Sequence, residues 1–436
     1  MQRENLPRVL VFGQSFNQLD GGGITLSNLF VNWKDSHRLF SIHSGKESIS
    51  HEICQDVYTL SREEKTPIIL RMFVTSKTRS APEKEGNGYF KSNSVERSKS
   101  RKIIYNLGVL LGVGHFFHVY RLSNSLKSWL ADIKPDILYL QFSNLNTMRF
   151  GIKLSRYLDI PVVIHVMDDW ISLPPISNTI SRVKENILTR QLIGGINKAL
   201  FKRLLKMASL RLVIADSMAS EYKRRYGMSF GVAHNYVDLS RWSLADRSNV
   251  AREKFVIRYF GTVNLKNIES LRFFAGCIAN MENIEFELFT MRNELTLSLE
   301  RNNTMVLGML DQKDYQNKLF ESDLLLLPLS FDKISLSYTK LSLPTKLSEY
   351  LISGVPTVVF APAPSAVYQF CATNRCAHLI GRKSSQEVRR SVEYLRNSEE
   401  YYSVLSERGR EVAIKKLSRE VVLRDFEKMI KEVCVN

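Results

Sequence analysis

Cysteine pairs are missing from this sequence, and their absence excludes several classes of protein. The 436 residues contain five cysteines, which are odd in number, scattered, and never spaced as Cys-x-x-Cys. Neither a disulfide framework nor a zinc site is indicated, so a reducing cytoplasm is the expected location. A signal peptide is not expected either, because Arg8 leads directly into the short apolar run Val9–Phe12.

Long uncharged runs are also scarce. Residues 103–120 are the exception, with no Asp, Glu, Lys or Arg over eighteen positions, which is long enough for a transmembrane helix. Asn106, two histidines and three glycines interrupt this run, and they favour a buried or membrane-skimming helix. The preceding residues, 76–102, are polar and rich in Ser and charge, so we expect a mobile loop or insertion there.

Acidic residues are few in the first half of the chain. Residues 1–250 contain 35 Lys and Arg against 21 Asp and Glu, whereas residues 251–436 contain 26 against 23. This surplus fits an anionic lipid, a nucleic acid or a phosphorylated substrate. Residues 182–211 hold eight basic residues against one Glu, interleaved with apolar ones. That pattern suits an anionic membrane surface or a solvated helix with an apolar core face, and it does not suit nucleic acid.

Strand and helix patterns alternate along the whole chain, which predicts an α/β protein with two doubly wound parallel sheets. We expect an N-terminal domain over residues 1–245, a second over 254–415, and a C-terminal helix in 416–436 that packs back toward the first. A ligand site is expected in the cleft between the two domains. The predicted strands are Arg8–Phe12, Asp136–Gln141, Val162–Val166, Leu210–Ala215, Val232–Asn235, Lys254–Phe260, Glu285–Phe289, Met305–Leu307, Asp323–Pro328, Thr357–Phe360 and His378–Ile380.

The glycine run Gly21–Gly23 follows the first strand and opens a helix. Glycines there let a backbone approach a ligand and present amides at a helix N-terminus. The run is not the Gly-x-Gly-x-x-Gly dinucleotide fingerprint, and a plain tight turn explains it as well. A second glycine turn, Gly261 to Lys266, opens the second domain and is either a phosphate site or a turn with a solvated lysine.

Three polar residues crowd the end of the third predicted strand: His165, Asp168 and Asp169. A histidine beside two carboxylates can orient a sugar hydroxyl or move a proton. The alternative is that one aspartate caps the next turn and His165 belongs to the core. No metal is expected, because the only paired aspartates lie in the first domain.

Residues 344–360 read as a helix that runs into a buried strand. Amides at its N-terminus, with Thr345 and Lys346, would face a diphosphate, and Glu349 one turn deeper would face ribose hydroxyls. The alternative is a surface glutamate on an ordinary helix.

Together these segments resemble the GT-B glycosyltransferases, and within them family 4, whose members are retaining and use nucleotide sugars. The resemblance covers nearly the whole chain. It is most specific in Pro-Thr-Lys-Leu-Ser-Glu-Tyr-Leu-Ile-Ser-Gly at 344–354, a form typical of bacterial polysaccharide and cell-wall enzymes. It implies that Glu349 holds the donor ribose, that Lys266 contacts the diphosphate and that His165 lies near the reacting sugar.

The chain departs from the family pattern at two positions. The first acidic residue of Glu-x7-Glu is Leu341 here, and the arginine that usually precedes the diphosphate lysine falls at about Thr262. Lys346 or Lys340 is a candidate for the missing positive charge, and Asp332 for the missing carboxylate. An epimerase acting on a UDP-sugar, or a catalytically degenerate relative, is therefore an alternative.

The prediction is a cytoplasmic glycosyltransferase of bacterial surface polysaccharide synthesis, peripheral on the inner face of the plasma membrane if its basic half binds anionic lipid. It would move sugar from a UDP- or GDP-sugar to a glycan or lipid-linked acceptor, without a cofactor. The predicted catalytic residues are His165, Asp168 and Asp169, and the predicted donor-binding residues are Gly22, Gly23, Gly261, Thr262, Lys266, Thr345, Lys346 and Glu349.

Overall fold

The computed structural model describes residues 6–18, 21–45, 50–65, 119–142, 144–172, 187–242, 253–264 and 267–435, without the side chains of 187–190, 334 and 338. The predicted insertion at 76–102 and nearly all of the uncharged run at 103–120 lie outside these residues. No helix among the described residues is both long and apolar enough to cross a membrane.

The first half forms a parallel sheet of seven strands in the order β3-β2-β1-β4-β5-β6-β7. Its strands are β1 Val9–Phe12, β2 Leu39–His43, β3 Asp56–Thr59, β4 Ile137–Leu140, β5 Val162–Val166, β6 Leu210–Val213 and β7 Gly231–Val232. Its helices are α1 Gly21–Leu29, α2 Arg62–Lys65, α3 Asn124–Ile133, α4 Leu145–Leu158, α5 Ile187–Met207 and α6 Asp216–Tyr226.

The second half forms a parallel sheet of six strands in the order β10-β9-β8-β11-β12-β13. Its strands are β8 Phe255–Phe260, β9 Ile284–Phe289, β10 Thr304–Leu307, β11 Leu324–Pro328, β12 Thr357–Phe360 and β13 His378–Ile380. The helices are α7 Ile268–Ile278, α8 Glu294–Leu297, α9 Gln312–Phe320, α10 Lys333–Thr339, α11 Lys346–Ser353, α12 Ala366–Asn374, α13 Ser385–Asn397, α14 Glu399–Leu417 and α15 Arg419–Val435.

The α/β prediction is confirmed as two Rossmann-like parallel sheets, since every pairing between their strands is parallel. The central strands are buried on both faces, as in β4 and β11, which explains their uninterrupted apolar sequences. The sequence prediction missed β2 and β3. Strand β3 is partly exposed at the sheet edge, so its Asp-Val-Tyr-Thr sequence carries a weak signal.

The two halves are joined at their base by backbone hydrogen bonds between the segment after β7 and the start of α15. Val237 N donates to Leu417 O at 2.8 Å, and Arg419 N donates to Val237 O at 3.0 Å. Helix α15 then lies against the first sheet, where buried Phe426 contacts Phe30 at a ring-centroid distance of 5.3 Å.

Removing the Phe426 ring should therefore destabilise the first half of the protein. Phe426→Ala deletes a fully buried ring that also packs edge-on against Trp33 and Tyr139. We expect the free energy of unfolding to fall by roughly 3–5 kcal/mol, measured by urea denaturation with tryptophan fluorescence. Val435→Ala on the same helix is the control, because Val435 is 86% exposed and should change stability by less than about 0.5 kcal/mol. Equal effects would contradict the packing role.

Candidate functional site

A cleft of about 1460 Å³ lies between the carboxyl ends of the two sheets, and both halves contribute to its walls. Loops after β1, β4 and β5 line one wall, and loops after β8 and β10, with the start of α11, line the other. Ligands of open α/β sheets bind at such strand ends. The cleft therefore brings most of the predicted site residues into one region.

The glycine run forms the first turn of helix α1, and its residues differ in environment. Gly21 and Gly22 line the cleft, whereas Gly23 is not among the lining residues. A Cβ atom at Gly23 would lie 2.3 Å from the Asn17 side chain, so glycine is required there by packing. Of the two predicted donor-binding glycines in this run, the structure places only Gly22 at the cleft surface.

The N-termini of α1 and α11 face each other across the cleft. A methyl group added at Gly21 would lie 3.6 Å from Thr345 Cγ2. The Thr345 side chain does not cap α11, although Leu347 N in the first turn of that helix donates to Pro344 O at 3.1 Å. Two helix N-termini in this arrangement favour an anion between them, because each carries a partial positive charge.

Glu349 lies on α11 at the cleft, where Tyr315 and Lys346 hold one of its two oxygens. Tyr315 Oη donates to Glu349 Oε2 at 2.7 Å, and Lys346 Nζ donates to the same oxygen at 3.2 Å. Lys346 Nζ also lies 4.4 Å from the centroid of the Tyr315 ring. Burial, with the Glu349 charge, raises the pKa of Tyr315 well above its usual value, so Tyr315 remains a donor. Glu349 Oε1 has no hydrogen-bond partner among the described residues.

A small hydrogen-bond network holds the turn after β8, which lines the cleft. Gly261 has φ of +136°, which favours glycine, and both Gly261 and Thr262 line the cleft. Tyr259 Oη and Asn267 Nδ2 both donate to Thr262 O, at 2.8 and 3.0 Å. This network fixes the backbone of the turn. The predicted diphosphate residue Lys266 lies outside the described residues.

His165 lines the cleft from the end of β5 but is only 1% exposed. Tyr139 Oη lies 2.6 Å from its Nδ1, and Gln141 Nε2 lies 3.4 Å from the same atom. Its Nε2 is buried without a hydrogen-bond partner among the described residues. Burial lowers the pKa of His165 to about 3, so the ring is neutral near pH 7.

The two neighbouring aspartates point to different places. Asp168 is exposed, lines the cleft, and accepts a hydrogen bond from Ser342 Oγ of the second half at 2.7 Å. Asp169 is 3% exposed and is not among the lining residues. Its oxygens accept from Tyr222 Oη at 2.7 Å and from Arg225 Nη1 at 2.8 Å, both on α6. The structure therefore does not bring Asp169 to His165, and the carboxylate anchors a helix instead.

The positions at which the chain departs from the family pattern lie beside the cleft. Leu341 is 5% exposed and packs into the core of the first half. Neither Lys340 nor Asp332 is among the residues that line the cleft, and Asp332 caps α10 by accepting from Ser335 N. Among the described residues, no three His, Cys, Asp or Glu side chains are grouped so as to hold a metal ion.

Sequence reasoning missed several residues of this site. Tyr315 lies in a polar helix, where the signal was an aromatic residue among charged and amide side chains. Tyr139 lies within a run that reads as ordinary core, and Ser342 lies in a loop without a motif. Their roles depend on partners more than twenty residues away, which a local pattern cannot reveal.

No protein-family model matches the sequence, and none of the curated proteins is a detectable relative. Solved structures do match over almost the full chain. Sucrose-phosphate synthase from Thermosynechococcus elongatus is 10% identical with a TM-score of 0.62, and the match covers 98% of each chain. A glycosyltransferase from Rickettsia africae is 11% identical with a TM-score of 0.60 and 99% coverage of each chain.

A third neighbour is HepE of Anabaena, solved in complex with UDP. It is 13% identical with a TM-score of 0.58, and the match covers 98% of this chain and 100% of that one. At these identities the likeness concerns the fold. The two facing Rossmann-like domains are thus the GT-B fold, as the sequence predicted.

Asp168 is exposed at the cleft and Asp169 is buried, and replacing each by Asn tests this difference. Asp169→Asn should lower the free energy of unfolding by roughly 2 kcal/mol, because it leaves Arg225 and Tyr222 with a poorer acceptor. Asp168→Asn should change it by less than about 0.5 kcal/mol. Denaturant unfolding of the two variants measures the difference. A larger loss from Asp168→Asn would contradict the assignment of Asp169 as the structural member.

Proposed function

We propose that this protein is a glycosyltransferase that takes its sugar from a nucleotide-sugar donor. The observation that carries the proposal is the approach of two helix N-termini, at Gly21 and at Thr345, from opposite walls of one cleft. Helix amides are suited to a diphosphate, which would lie in the cleft beside these two N-termini. HepE, which has the same fold, has been solved with UDP and with UDP-glucose.

The nucleoside is proposed to lie on the second half of the protein, as UDP or GDP. Glu349 Oε1 is available for ribose hydroxyls, while Tyr315 and Lys346 hold the other oxygen. Gly22, Gly261, Thr262 and Thr345 line the same cleft and would approach the diphosphate through their backbones. Lys266 is proposed to add a charge there.

During transfer, the bond between the anomeric carbon and the diphosphate oxygen breaks, and that carbon forms a bond to an acceptor oxygen. The proton of the acceptor hydroxyl would pass to the leaving diphosphate. The leaving diphosphate gains negative charge, which the amides of α1 and α11 and the ammonium of Lys346 would stabilise. His165 would hold a sugar hydroxyl, and Asp168 would contact sugar or acceptor from the first half. We propose retention of anomeric configuration and membership of family 4 from the sequence resemblance, and no metal cofactor.

We propose that residues 1–245 bind the acceptor, that 254–415 bind the donor, and that 416–436 belong structurally with the first domain. The acceptor would be a glycan or a lipid-linked saccharide of a bacterial surface polysaccharide. Such an acceptor is consistent with a cytoplasmic protein located on the inner face of the plasma membrane.

The basic surface of the first half supports this location. Helices α4 and α5 lie side by side, and their sequences contain eight Lys or Arg without an Asp or Glu. Lys198, Lys202, Arg203 and Lys206 are exposed on α5 and form no ion pair with a described residue. Leu192 on the same helix is 64% exposed. Cations around an exposed apolar side chain suit an anionic bilayer.

Glu349 is the donor contact to test first. Glu349→Ala should reduce transfer at least about tenfold, because ribose hydroxyls lose a charged acceptor. The measurements are a screen of UDP- and GDP-sugars for thermal stabilisation, followed by transfer assays with the stabilising donor. Glu269→Ala is the matched control, since Glu269 is an exposed glutamate on α7 outside the cleft.

Two outcomes would contradict the proposal. Wild-type transfer by Glu349→Ala would remove Glu349 from the donor site. Conversion of donor alone into a new nucleotide sugar, without acceptor, would identify the protein as an epimerase instead.

The membrane contact is testable by vesicle flotation. Replacing Lys198, Lys202 and Lys206 together by Gln should lower partitioning onto anionic phospholipid vesicles by about 100-fold, at about 1 kcal/mol per charge. Gln at Lys415, Lys428 and Lys431, on α14 and α15, is the control with equal charge loss and should have a smaller effect. Binding that is independent of anionic lipid would contradict the contact.

A further inference from the structure

The imidazole of His165 is a polar group buried beside the cleft. Its Nε2 has no partner among the described residues, although the ring is 1% exposed and lines the cleft. A buried polar atom without a partner is costly. Such an atom at the wall of a ligand cleft indicates that a ligand atom completes its hydrogen bonding. Whether that ligand atom must be a donor or an acceptor depends on which nitrogen carries the proton.

We infer that Tyr139 is a positioning residue that holds His165 with its proton on Nε2, so that His165 donates a hydrogen bond to an oxygen of the bound ligand. The inference that this oxygen is a sugar hydroxyl rests on the proposed function. The position of the proton does not.

The surroundings of Nδ1 determine the tautomer. Tyr139 is fully buried, its hydroxyl lies 2.6 Å from Nδ1, and its ring packs edge-on against Phe30 at 5.0 Å. The Gln141 amide nitrogen, also a donor, lies 3.4 Å from the same Nδ1. Since both neighbours present donors, Nδ1 acts as the acceptor and the proton of the neutral ring resides on Nε2.

The charge state of both groups agrees with this arrangement. Burial raises the pKa of Tyr139 well above its usual value, so the phenol keeps its proton. Burial lowers the pKa of His165 to about 3, so the ring does not carry a second proton near neutral pH. His165 is therefore a neutral donor toward the cleft, and it has no lone pair there with which to act as a general base.

The position of the ring is as constrained as its proton. Tyr139 and His165 lie on adjacent parallel strands, β4 and β5, in which Tyr139 pairs with Val163. Side chains two residues apart on a strand share a face, so His165 points to the same side of the sheet as Tyr139. That side carries α1, and the ring accordingly lies in the part of the cleft that α1 lines.

The test is nuclear magnetic resonance of the full-length protein labelled with ¹⁵N-histidine, without ligand. The His165 signals are identified by their loss in His165→Gln. We expect a pyridine-like Nδ1 and a protonated Nε2 in the wild type. In Tyr139→Phe, we expect the protonated Nε2 fraction to fall and the Nδ1 signal to shift toward the protonated form. Tyr222→Phe is the matched control, because it removes another buried phenol hydroxyl, bonded to Asp169, and should leave the His165 signals unchanged.

A proton on Nδ1 in the wild type would overturn the inference, and so would an unchanged tautomer in Tyr139→Phe. A folded His165→Gln protein can be verified by its unfolding transition, so loss of the signals is not confused with misfolding. Once a donor is known, Tyr139→Phe should lower kcat by roughly tenfold, the effect of one misdirected hydrogen bond. Absence of any transferase activity would contradict the proposed function while leaving the tautomer result intact.

Discussion

The geometry of the cleft depends on contacts by which one short segment, residues 341–345, attaches the second half of the protein to the first. Leu341 packs among the apolar residues of the first core, and Ser342 Oγ contacts both Met167 O and Asp168 Oδ1. The segment then places Thr345 beside Gly21, and α11 begins at the next residue. Together with the backbone hydrogen bonds of Val237 to Leu417 and Arg419, this attachment sets the separation of the two helix N-termini.

This attachment gives a physical reason for the apolar residue at position 341. A carboxylate there would be buried among apolar side chains, where desolvation is unfavourable unless a partner compensates. Leucine contributes burial between the halves instead. Asp168, reached by the neighbouring Ser342, is the carboxylate that the described structure presents at this part of the cleft. Asp168 belongs to the opposite wall of the cleft, so it would contact the sugar only while the two walls are close together.

The sequence predicted the architecture well because a buried parallel strand leaves a strong apolar signal, as in β4, β5, β11 and β12. It failed at β2, where Ser41 and His43 interrupt a fully buried run, and at the partly exposed edge strand β3. Site prediction had a similar limit. Gly22, His165 and Glu349 stand at strand or helix ends, where topology alone brings residues to the cleft. Asp168 and Asp169 could not be told apart from the sequence, because the direction of each side chain depends on partners on α6 and on the loop before α11.

The positions of the charged residues distinguish a site for a phosphorylated substrate from a surface for anionic lipid, which composition alone did not do. The formal net charge is +17, yet the described residues that line the cleft include four Lys or Arg and five Asp or Glu. Each of the four cations is already paired with a carboxylate, as Lys34 is with Glu52 and Arg419 with Asp238. Among the described residues, α4 and α5 carry six exposed basic side chains outside the cleft and no acidic one.

Binding of a diphosphate in this cleft would therefore rely first on the partial positive charge at the N-termini of α1 and α11. Lys346 would add its charge to them while Glu349 Oε2 stays with Tyr315 and Lys346, because Oε1 is left for ribose. In the proposed binding mode, one helix would thus direct an ammonium to the diphosphate and a carboxylate to the ribose of the same nucleotide.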